Sequence, residues 1–297
     1  MAQATVKDFA KTLMISEEAL LKRMSSAGLS HSSATDEVTT AHKQILLRSL
    51  KQKQKQTSDT IQEKVENAFS SIANEEVNVV CSGRTDAGVH ALSQVIHFDT
   101  NTKRLKKSWV EGTNSLLPND ISINWIKSVD DTFNARFSAV SRTYKYVVFN
   151  KTSSSIIHSN RVTIVKEKLD IDTMINASKF LLGEKDFSSF RASGCQSKTP
   201  MRNVKEIKIT KKKNTITFEI SANAFLFNMV RIIMGTLINF GVNNLDPMLM
   251  KEILDSKDRK EASKTLDSSG LYFIGPEYPE VFKLPRPPIK RQIVPYI

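Results

Sequence analysis

Apolar residues at the start of the chain recur at helical spacing. Up to about residue 53, three helices are predicted, at 6–13, 17–27 and 37–50. Ser16 is a plausible N-cap for the second helix, and Gly28 a plausible stop signal after it. The predicted core residues of this segment are Phe9, Leu13, Leu20, Leu21, Met24, Ile45, Leu46 and Leu50. We therefore expect residues 1–53 to form a separate, small three-helix module.

The rest of the chain mixes the helical and the alternating pattern. The polar stretch 51–56 is typical of a linker or a frayed helix end, and the amphipathic stretch 60–73 predicts a helix. Further helices are predicted at 172–182, 224–240 and 247–254, and strands at 77–80, 94–98, 121–129, 142–149, 204–210, 215–221 and 271–274. Because helices and strands do not alternate strictly, we expect an α+β fold with a largely antiparallel sheet.

The charge of the chain points to the kind of partner it binds. Its 297 residues carry a formal net charge of +12. A polyanion such as nucleic acid is the first candidate partner, and a merely basic protein is the alternative.

The remaining composition argues against several classes of protein. The two cysteines form no CxxC pair and the five histidines have no metal-ligand spacing, so we expect no metal site and a reducing cytoplasm. There is no signal-peptide pattern. The longest apolar stretch, 224–240, is short for a membrane span and contains Arg231, so no membrane partner is expected.

A polar loop between two predicted strands is the first candidate for chemistry. It runs over residues 81–91, where Gly83 and Gly88 bracket Arg84 and Asp86. Scaffolds often display reactive groups on such loops. The alternative is an ordinary Asp-Ala-Gly turn, since Asp and Gly dominate turns for conformational reasons.

Two residues far from this loop are further candidates. Arg231 lies in a segment that is apolar around nearly its whole circumference, where an unpaired guanidinium is strongly unfavourable. It therefore needs a carboxylate, for which Asp86 is a candidate, or a phosphate; alternatively it reaches solvent. Tyr144 lies on a predicted strand beside basic residues. It can stack on a nucleobase, which is worth roughly 1–3 kcal/mol, or pack in the core.

Ordered motifs from about residue 54 to about 285 resemble the tRNA pseudouridine synthase A (TruA) family. They are Gly83-Arg84-Thr85-Asp86-Ala87-Gly88-Val89-His90-Ala91, Phe133-Asn134-Ala135-Arg136-Phe137-Ser138, Arg142-x-Tyr144-x-Tyr146, Asp186-Phe187-x-Ser189-Phe190-Arg191, Met229-Val230-Arg231-Ile232-Ile233, and shorter matches at 94–98, 195–203, 222–225, 270–272 and 278–279. Residues 4–50 resemble the N-terminal module of bacterial translation initiation factor 2. The first resemblance implies a pseudouridine synthase fold whose mostly antiparallel sheet spans two lobes, 54–150 and 151–297.

The resemblance also implies a function. It is that of a cofactor-free isomerase that converts uridine to pseudouridine at positions 38 to 40 in the tRNA anticodon stem-loop, acting as a cytoplasmic homodimer. Asp86 matches the catalytic aspartate, Tyr144 the active-site tyrosine, and Arg231 the arginine that pairs with the aspartate. Arg84 matches a basic residue near the entering nucleotide. We expect the other RNA contacts to come from Arg136, Arg142, Arg191 and Arg202.

The chemistry of the implied reaction explains these residue types. The glycosidic bond must break and the base must re-attach through carbon, which requires a positioned nucleophile or base such as Asp86. Attack on the ribose and attack on the uracil ring are both compatible with a carboxylate. The target base must leave its stack to reach the site, and an aromatic ring can then hold it.

The chain departs from the family pattern at its start. The family opens with an apolar strand and a Gly-Trp-Gln segment before the helix at 60–73, and this chain has the N-terminal module instead. A sheet without that strand would have an unpaired edge. A non-catalytic tRNA- or ribosome-binding protein is therefore the alternative function. A metal-dependent hydrolase that uses Asp86 has no ligand set behind it.

Overall fold

The computed structural model describes residues 4–12, 16–26, 29, 33–39, 42–43, 45, 60–151 and 160–285. The chain divides into two compact units, Met1–Asn74 with Glu111–Ser122, and Glu75–Val110 with Ile123–Ile297. The three predicted domains, with boundaries near residues 53 and 150, stay a prediction. Within the described ranges, no helix is long and apolar enough to cross a membrane.

The N-terminal part of the first unit combines helices with a short sheet. Strand β1, Ala4–Thr5, is followed by helix α1, Val6–Thr12, and helix α2, Glu17–Ser26. Strand β2, Glu37–Val38, then pairs antiparallel with β1. The buried core residues here are Val6, Ala10, Leu20, Met24, Leu29 and Val38, with Phe9 and Leu21 packed against them.

The predicted third helix is wrong at its start. Glu37 and Val38 pair with Thr5 and Ala4 of β1 instead, and the hydrogen bonds of this ladder satisfy their backbone N–H and C=O groups without a helix. Positions 42–43 and 45 are helical, but Ile45, a predicted core residue, is exposed. The predicted core residues Leu13, Leu46 and Leu50, the stop residue Gly28 and the linker 51–56 lie outside the described residues. The whole stretch 46–59 also lies outside the described residues, so the loss of the family's opening strand stays a prediction.

Helix α3, Ile61–Ala73, confirms the prediction for 60–73. Thr60 caps it, because the Thr60 side chain accepts a hydrogen bond from the backbone N–H of Glu63. Asn74, at φ 56°, ends it in the left-handed conformation. Helix α4, Lys106–Leu116, was not predicted. Trp109, Thr113 and Leu117 are buried at a helical spacing of four residues, but the basic residues of the first turn obscure this pattern in the sequence.

The second unit is built on a seven-stranded sheet. Its long strands are β6, Ser141–Asn150, β9, Met201–Lys212, β10, Thr215–Ala222, and β11, Leu271–Glu277. The shorter strands are β4, His90–Ala91, β7, Thr163–Val165, and β8, Gly183–Asp186. The spatial order is β4-β11-β6-β10-β9-β8, with β7 also paired to β6. Among the strands that the structure describes in this sheet, only the β4–β11 and β6–β7 pairs are parallel, so the predicted α+β fold with a mostly antiparallel sheet is confirmed.

Three helices share the main core with this sheet. They are α5, Ile171–Ser178, α6, Met229–Asn243, and α7, Leu249–Ser256. Every second residue of β10 is buried, as expected for a strand with one face toward the core. Helix α6 is buried on nearly all sides. A Cβ at Gly235 would lie 2.2 Å from the Lys264 carbonyl oxygen, so glycine allows the backbone to approach α6 closely.

Several predicted boundaries differ from the structure. Helix α6 begins at Met229, not at residue 224, because Asn228 has a φ of 60°, which no α-helical residue adopts. The predicted strands 77–80 and 94–98 are reduced to β3, Val80–Cys81, and β5, Ile96–His97. The segment 121–129 contains no assigned strand. Its alternating pattern reflects packing instead, since Trp125 and Val129 lie against a cluster formed by Val95, Phe133 and Ala135.

Candidate active site

The loop that carries Asp86 is held at both ends by strands. At its start, β3 pairs antiparallel with β5, and at its end β4 pairs parallel with β11. The carbonyl oxygen of Asp86 accepts a hydrogen bond from the N–H of Val89 at 3.1 Å, which closes a tight turn. The loop is therefore an ordinary turn by its backbone, and it presents a carboxylate as well.

Gly88 and Ser82 fix the shape of this loop. Gly88 has a φ of 79°, a left-handed conformation that favours glycine, and a Cβ there would lie 2.5 Å from the hydroxyl oxygen of Ser268. Ser82 is buried, and its hydroxyl donates to Gln94 Oε1 at 2.5 Å. Gln94 Nε2 in turn donates to the Gly83 carbonyl oxygen at 2.6 Å. The carboxylate is thus displayed by a pre-organised loop.

Asp86 and Arg231 form an ion pair. Arg231 Nη1 donates to Asp86 Oδ2 at 3.0 Å and to Asn228 Oδ1 at 2.8 Å, while Nε donates to the Leu266 carbonyl oxygen at 2.7 Å. The side chains are 32% exposed for Asp86 and 18% exposed for Arg231, so the pair is partly shielded from water while the carboxylate remains accessible. The structure therefore gives Arg231 the carboxylate partner that the sequence pattern called for, and leaves its catalytic role a prediction.

Tyr144 lies on β6, two residues after Arg142. Its ring packs edge-on against Phe225, with ring centroids 5.0 Å apart, and at a tilt against Phe273, at 4.9 Å. Burial raises the pKa of the Tyr144 hydroxyl, and the charge of Asp86 raises it further, although Arg142 opposes the shift. The hydroxyl is therefore neutral across the physiological pH range. Within the described part of the chain it has no hydrogen-bond partner, so it is available to a bound substrate.

Arg142 is used to build the site. Its guanidinium donates to the carbonyl oxygen of Ser82 through Nε and Nη2, each at 3.1 Å, and to those of Asn223 at 3.0 Å, Ala139 at 3.4 Å and Arg136. Burial lowers the pKa of Arg142, and the guanidinium stays charged. Sequence reasoning predicted an RNA contact here and missed this role, because backbone acceptors leave no sequence signal and two of the four, Ser82 and Asn223, are distant along the chain.

Arg84 and Arg136 are both exposed. Neither guanidinium donates a hydrogen bond to another described residue, and the Arg136 guanidinium lies over the ring of Phe137, 5.4 Å from its centroid. Their positive charge is therefore open to solvent, as a contact to RNA phosphates requires.

Arg191 and Arg202 hold the loop that follows β8. Arg191 Nη2 donates to the carbonyl oxygens of Cys195 at 3.0 Å and Ser197 at 2.7 Å. Arg202 is 7% exposed, and it donates to the Thr199 carbonyl oxygen at 2.9 Å and to the Ser197 hydroxyl at 2.6 Å. These hydrogen bonds give both arginines a structural use, and their predicted contacts to RNA stay a prediction.

The environment of Cys195 affects its acidity. Burial acts to raise the pKa of the thiol, but the N–H groups of Phe227 and Ser197 and the charge of Arg191 outweigh it, so the pKa is lowered. No metal site is found among the residues that the structure describes, because they contain no group of three His, Cys, Asp or Glu side chains that could hold a metal ion.

Comparisons with known proteins match the two parts of the chain separately. The family described as tRNA pseudouridine synthase matches residues 47–138 and 177–279. The family described as the N-terminal region of translation initiation factor IF-2 matches residues 1–53. Both resemblances inferred from the sequence are confirmed by these matches.

Curated relatives agree with the first match. A tRNA pseudouridine synthase A from Hydrogenovibrio crunogenus is 46% identical over 228 residues, which cover 77% of this chain and 87% of the relative. The protein of the same name from Buchnera aphidicola is 47% identical over 226 residues, 76% of this chain and 86% of the relative. That of Escherichia fergusonii is 46% identical over 230 residues, 77% and 85% of the two chains.

Proposed function

The chain belongs to the tRNA pseudouridine synthase A family, and we propose that it acts on the anticodon stem-loop of tRNA, at positions 38 to 40. As a member of this family it is an isomerase that converts uridine to pseudouridine in tRNA. The finer location follows the family resemblance of its motifs. The observation that carries the proposal is the partly exposed ion pair between Asp86 and Arg231, 3.0 Å apart, on a fixed loop of a basic protein.

In the reaction, the N1–C1′ bond of the uridine breaks and a C5–C1′ bond forms. The hydrogen at C5 leaves as a proton and N1 gains one, so the conversion needs no other reactant. Asp86 supplies the nucleophile or base for these steps. Arg231 holds the carboxylate in one orientation, since the same guanidinium is fixed by Asn228 and Leu266.

Tyr144 is assigned the role of holding the flipped base. The ring is fixed between Phe225 and Phe273, and its neutral hydroxyl is available for a hydrogen bond to the uracil. Arg84, exposed on the Asp86 loop, is assigned to the entering nucleotide. Arg136 adds positive charge for the RNA backbone.

We also propose that the protein acts as a homodimer in the cytoplasm, which follows from the family resemblance. Sedimentation of the full chain at micromolar concentration checks the oligomeric state, and a monomer that is fully active would contradict it.

Tritium release tests the proposed positions. The full chain is incubated with a tRNA transcript that carries 5-tritiated uridine at positions 38 to 40, and with a matched transcript that has cytidine there and tritiated uridine elsewhere. Release from the first transcript alone is expected, because only a uridine that re-attaches through C5 loses that hydrogen. Release from the second would overturn the location, and tRNA binding without any release would favour the non-catalytic alternative.

A further inference from the structure

We propose that Phe137 stacks on a nucleobase of the substrate tRNA beside the target uridine, with Arg136 covering the other face of its ring. The proposal rests on the proposed function, because it takes tRNA as the substrate. It adds a binding residue that contacts a second nucleotide, whereas Tyr144 is assigned to the target base itself.

The first observation is the exposure of Phe137. Its side chain is 78% exposed, and the Arg136 guanidinium lies 5.4 Å from the centroid of its ring. Single apolar residues on a protein surface are common, so exposure alone does not indicate a binding role. What matters is how the side chain is held there.

The loop that presents Phe137 is rigid. Asn134 Oδ1 accepts hydrogen bonds from the N–H groups of both Arg136, at 2.9 Å, and Phe137, at 3.0 Å. The N–H of Asn134 donates to the Ser138 hydroxyl oxygen at 2.9 Å, and the N–H of Ser138 donates to the Asn134 carbonyl oxygen, also at 2.9 Å. The loop is thus closed by its own hydrogen bonds, which fixes the backbone at Phe137.

The same loop is anchored to the core by the residue before Arg136. Ala135 is fully buried, its N–H donates to His97 Nδ1 at 3.1 Å, and its carbonyl oxygen accepts from the Tyr278 hydroxyl at 2.6 Å. The outward position of Phe137 is therefore imposed by the fold. A backbone that is already fixed before binding loses little conformational freedom when a ligand stacks on the ring it carries.

Arg142 connects this loop to the active site. Its guanidinium donates both to the carbonyl oxygen of Arg136 and to that of Ser82, which lies four residues before Asp86. Tyr144, two residues along β6, is on the same face of the strand as Arg142. The exposed ring thus sits on a loop that shares a hydrogen-bonding side chain with the catalytic loop.

The chemistry of the substrate fits this placement. A target base that leaves its stack exposes the faces of its neighbours, which lose a stacking partner. An exposed aromatic ring provides a replacement, and stacking of this kind accepts any base. The cationic guanidinium of Arg136 attracts the nearby phosphate.

The test compares Phe137→Leu, which is apolar but not planar, with Phe137→Trp, which keeps an aromatic face. Binding is measured on the full chain carrying Asp86→Asn, so that no turnover occurs, with a tRNA transcript that has 2-aminopurine beside the target uridine. Val281→Ala is the matched control, because Val281 is 76% exposed in the same compact unit. We expect Phe137→Leu to weaken binding about 5- to 150-fold and to lose the quenching of 2-aminopurine fluorescence. Phe137→Trp and the control are expected to retain both.

Two results would overturn the stacking role. The first is unchanged affinity and quenching in Phe137→Leu. The second is a change in oligomeric state on Phe137→Leu with unchanged affinity per protomer, which would make Phe137 a contact between two copies of the chain. Failure of the proposed function is a separate result, since it is the absence of tritium release by the wild-type protein, and binding and quenching still decide the role of Phe137.

Discussion

Replacing Arg231 by methionine is expected to slow the reaction far more than it weakens tRNA binding. The substitution keeps an unbranched side chain of similar length and removes the hydrogen bonds to Asp86, Asn228 and Leu266. Asp86 then has no cation to orient it. Since misplacement of a reacting group by about 1 Å lowers rates about 100-fold, we expect kcat to fall by about that factor and KM to change only a few-fold.

The loss of stability follows from the same contacts. Exposed ion pairs contribute only about 0.2–1 kcal/mol, whereas breaking a buried pair costs about 3–5 kcal/mol. The pair here lies between these cases, because Asp86 is 32% exposed and water can solvate it once Arg231 is gone. The substitution also removes the hydrogen bond to the Leu266 carbonyl oxygen. We expect the two losses together to lower the free energy of unfolding by about 2–4 kcal/mol.

Urea unfolding and single-turnover tritium release measure the two effects. Arg259→Met is the matched control, since Arg259 also donates to a carbonyl oxygen, that of Ala262 at 2.9 Å, and has no contact with Asp86. It should reduce stability and leave kcat unchanged. Comparing Arg231→Met, Asp86→Asn and the double variant should give a coupling in unfolding free energy of about 1–2 kcal/mol. Wild-type kcat in Arg231→Met would refute the positioning role.

Three further predictions concern the tyrosines and the packing of α6. Tyr144→Phe should retain tRNA binding and lower kcat about tenfold, because the variant lacks the hydroxyl that forms a hydrogen bond to the base. Burial raises the pKa of Tyr146 above its value in the unfolded chain, which is about 10. Above pH about 10 the unfolded chain therefore releases this proton while the folded protein keeps it. The stability that comes from the neutral hydroxyl is present below pH about 10 and is lost as the pH rises further. Tyr146→Phe should therefore reduce the slope of unfolding free energy against pH by up to about 1.4 kcal/mol per pH unit above pH 10. Gly235→Ala should destabilise the protein by about 1–3 kcal/mol in urea unfolding, since its Cβ would overlap the Lys264 carbonyl.

Controls make these predictions specific. Tyr144→Leu removes the ring as well and should weaken binding, so equal behaviour of the Phe and Leu variants would contradict the stacking role. Tyr272→Phe also lacks a hydroxyl whose pKa is raised by burial, and should give a smaller change in the alkaline slope, because burial raises the pKa of Tyr272 less than that of Tyr146. Gly183→Ala meets no atom within 4 Å and therefore tests backbone strain alone.

The pairing of Arg231 was predictable from the sequence because burial of a charge demands a partner. The apolar residues around Arg231 indicate the burial, and the loop at 81–91 offers the carboxylate. The long strand β10 was predictable for a related reason, since one buried face imposes a period of two that its sequence displays.

Other features depend on contacts between distant segments, which local patterns do not encode. Glu37 and Val38 read as the start of a helix, and only their pairing with the first strand makes them extended. The left-handed conformation of Asn228 shortens α6. Arg142 reads as a surface arginine on a strand, and its role depends on carbonyl oxygens of Ser82, of Asn223 and of the segment 136–139 just before it.

The role of Asp86 is decided by comparing the wild-type protein with Asp86→Asn. The substitution keeps the shape of the side chain and removes the negative charge that pairs with Arg231. We predict that tritium release from tRNA by the variant is undetectable, while its affinity for tRNA stays within a few-fold of wild type. Release by Asp86→Asn at the wild-type rate would contradict the assignment of Asp86 as the catalytic group.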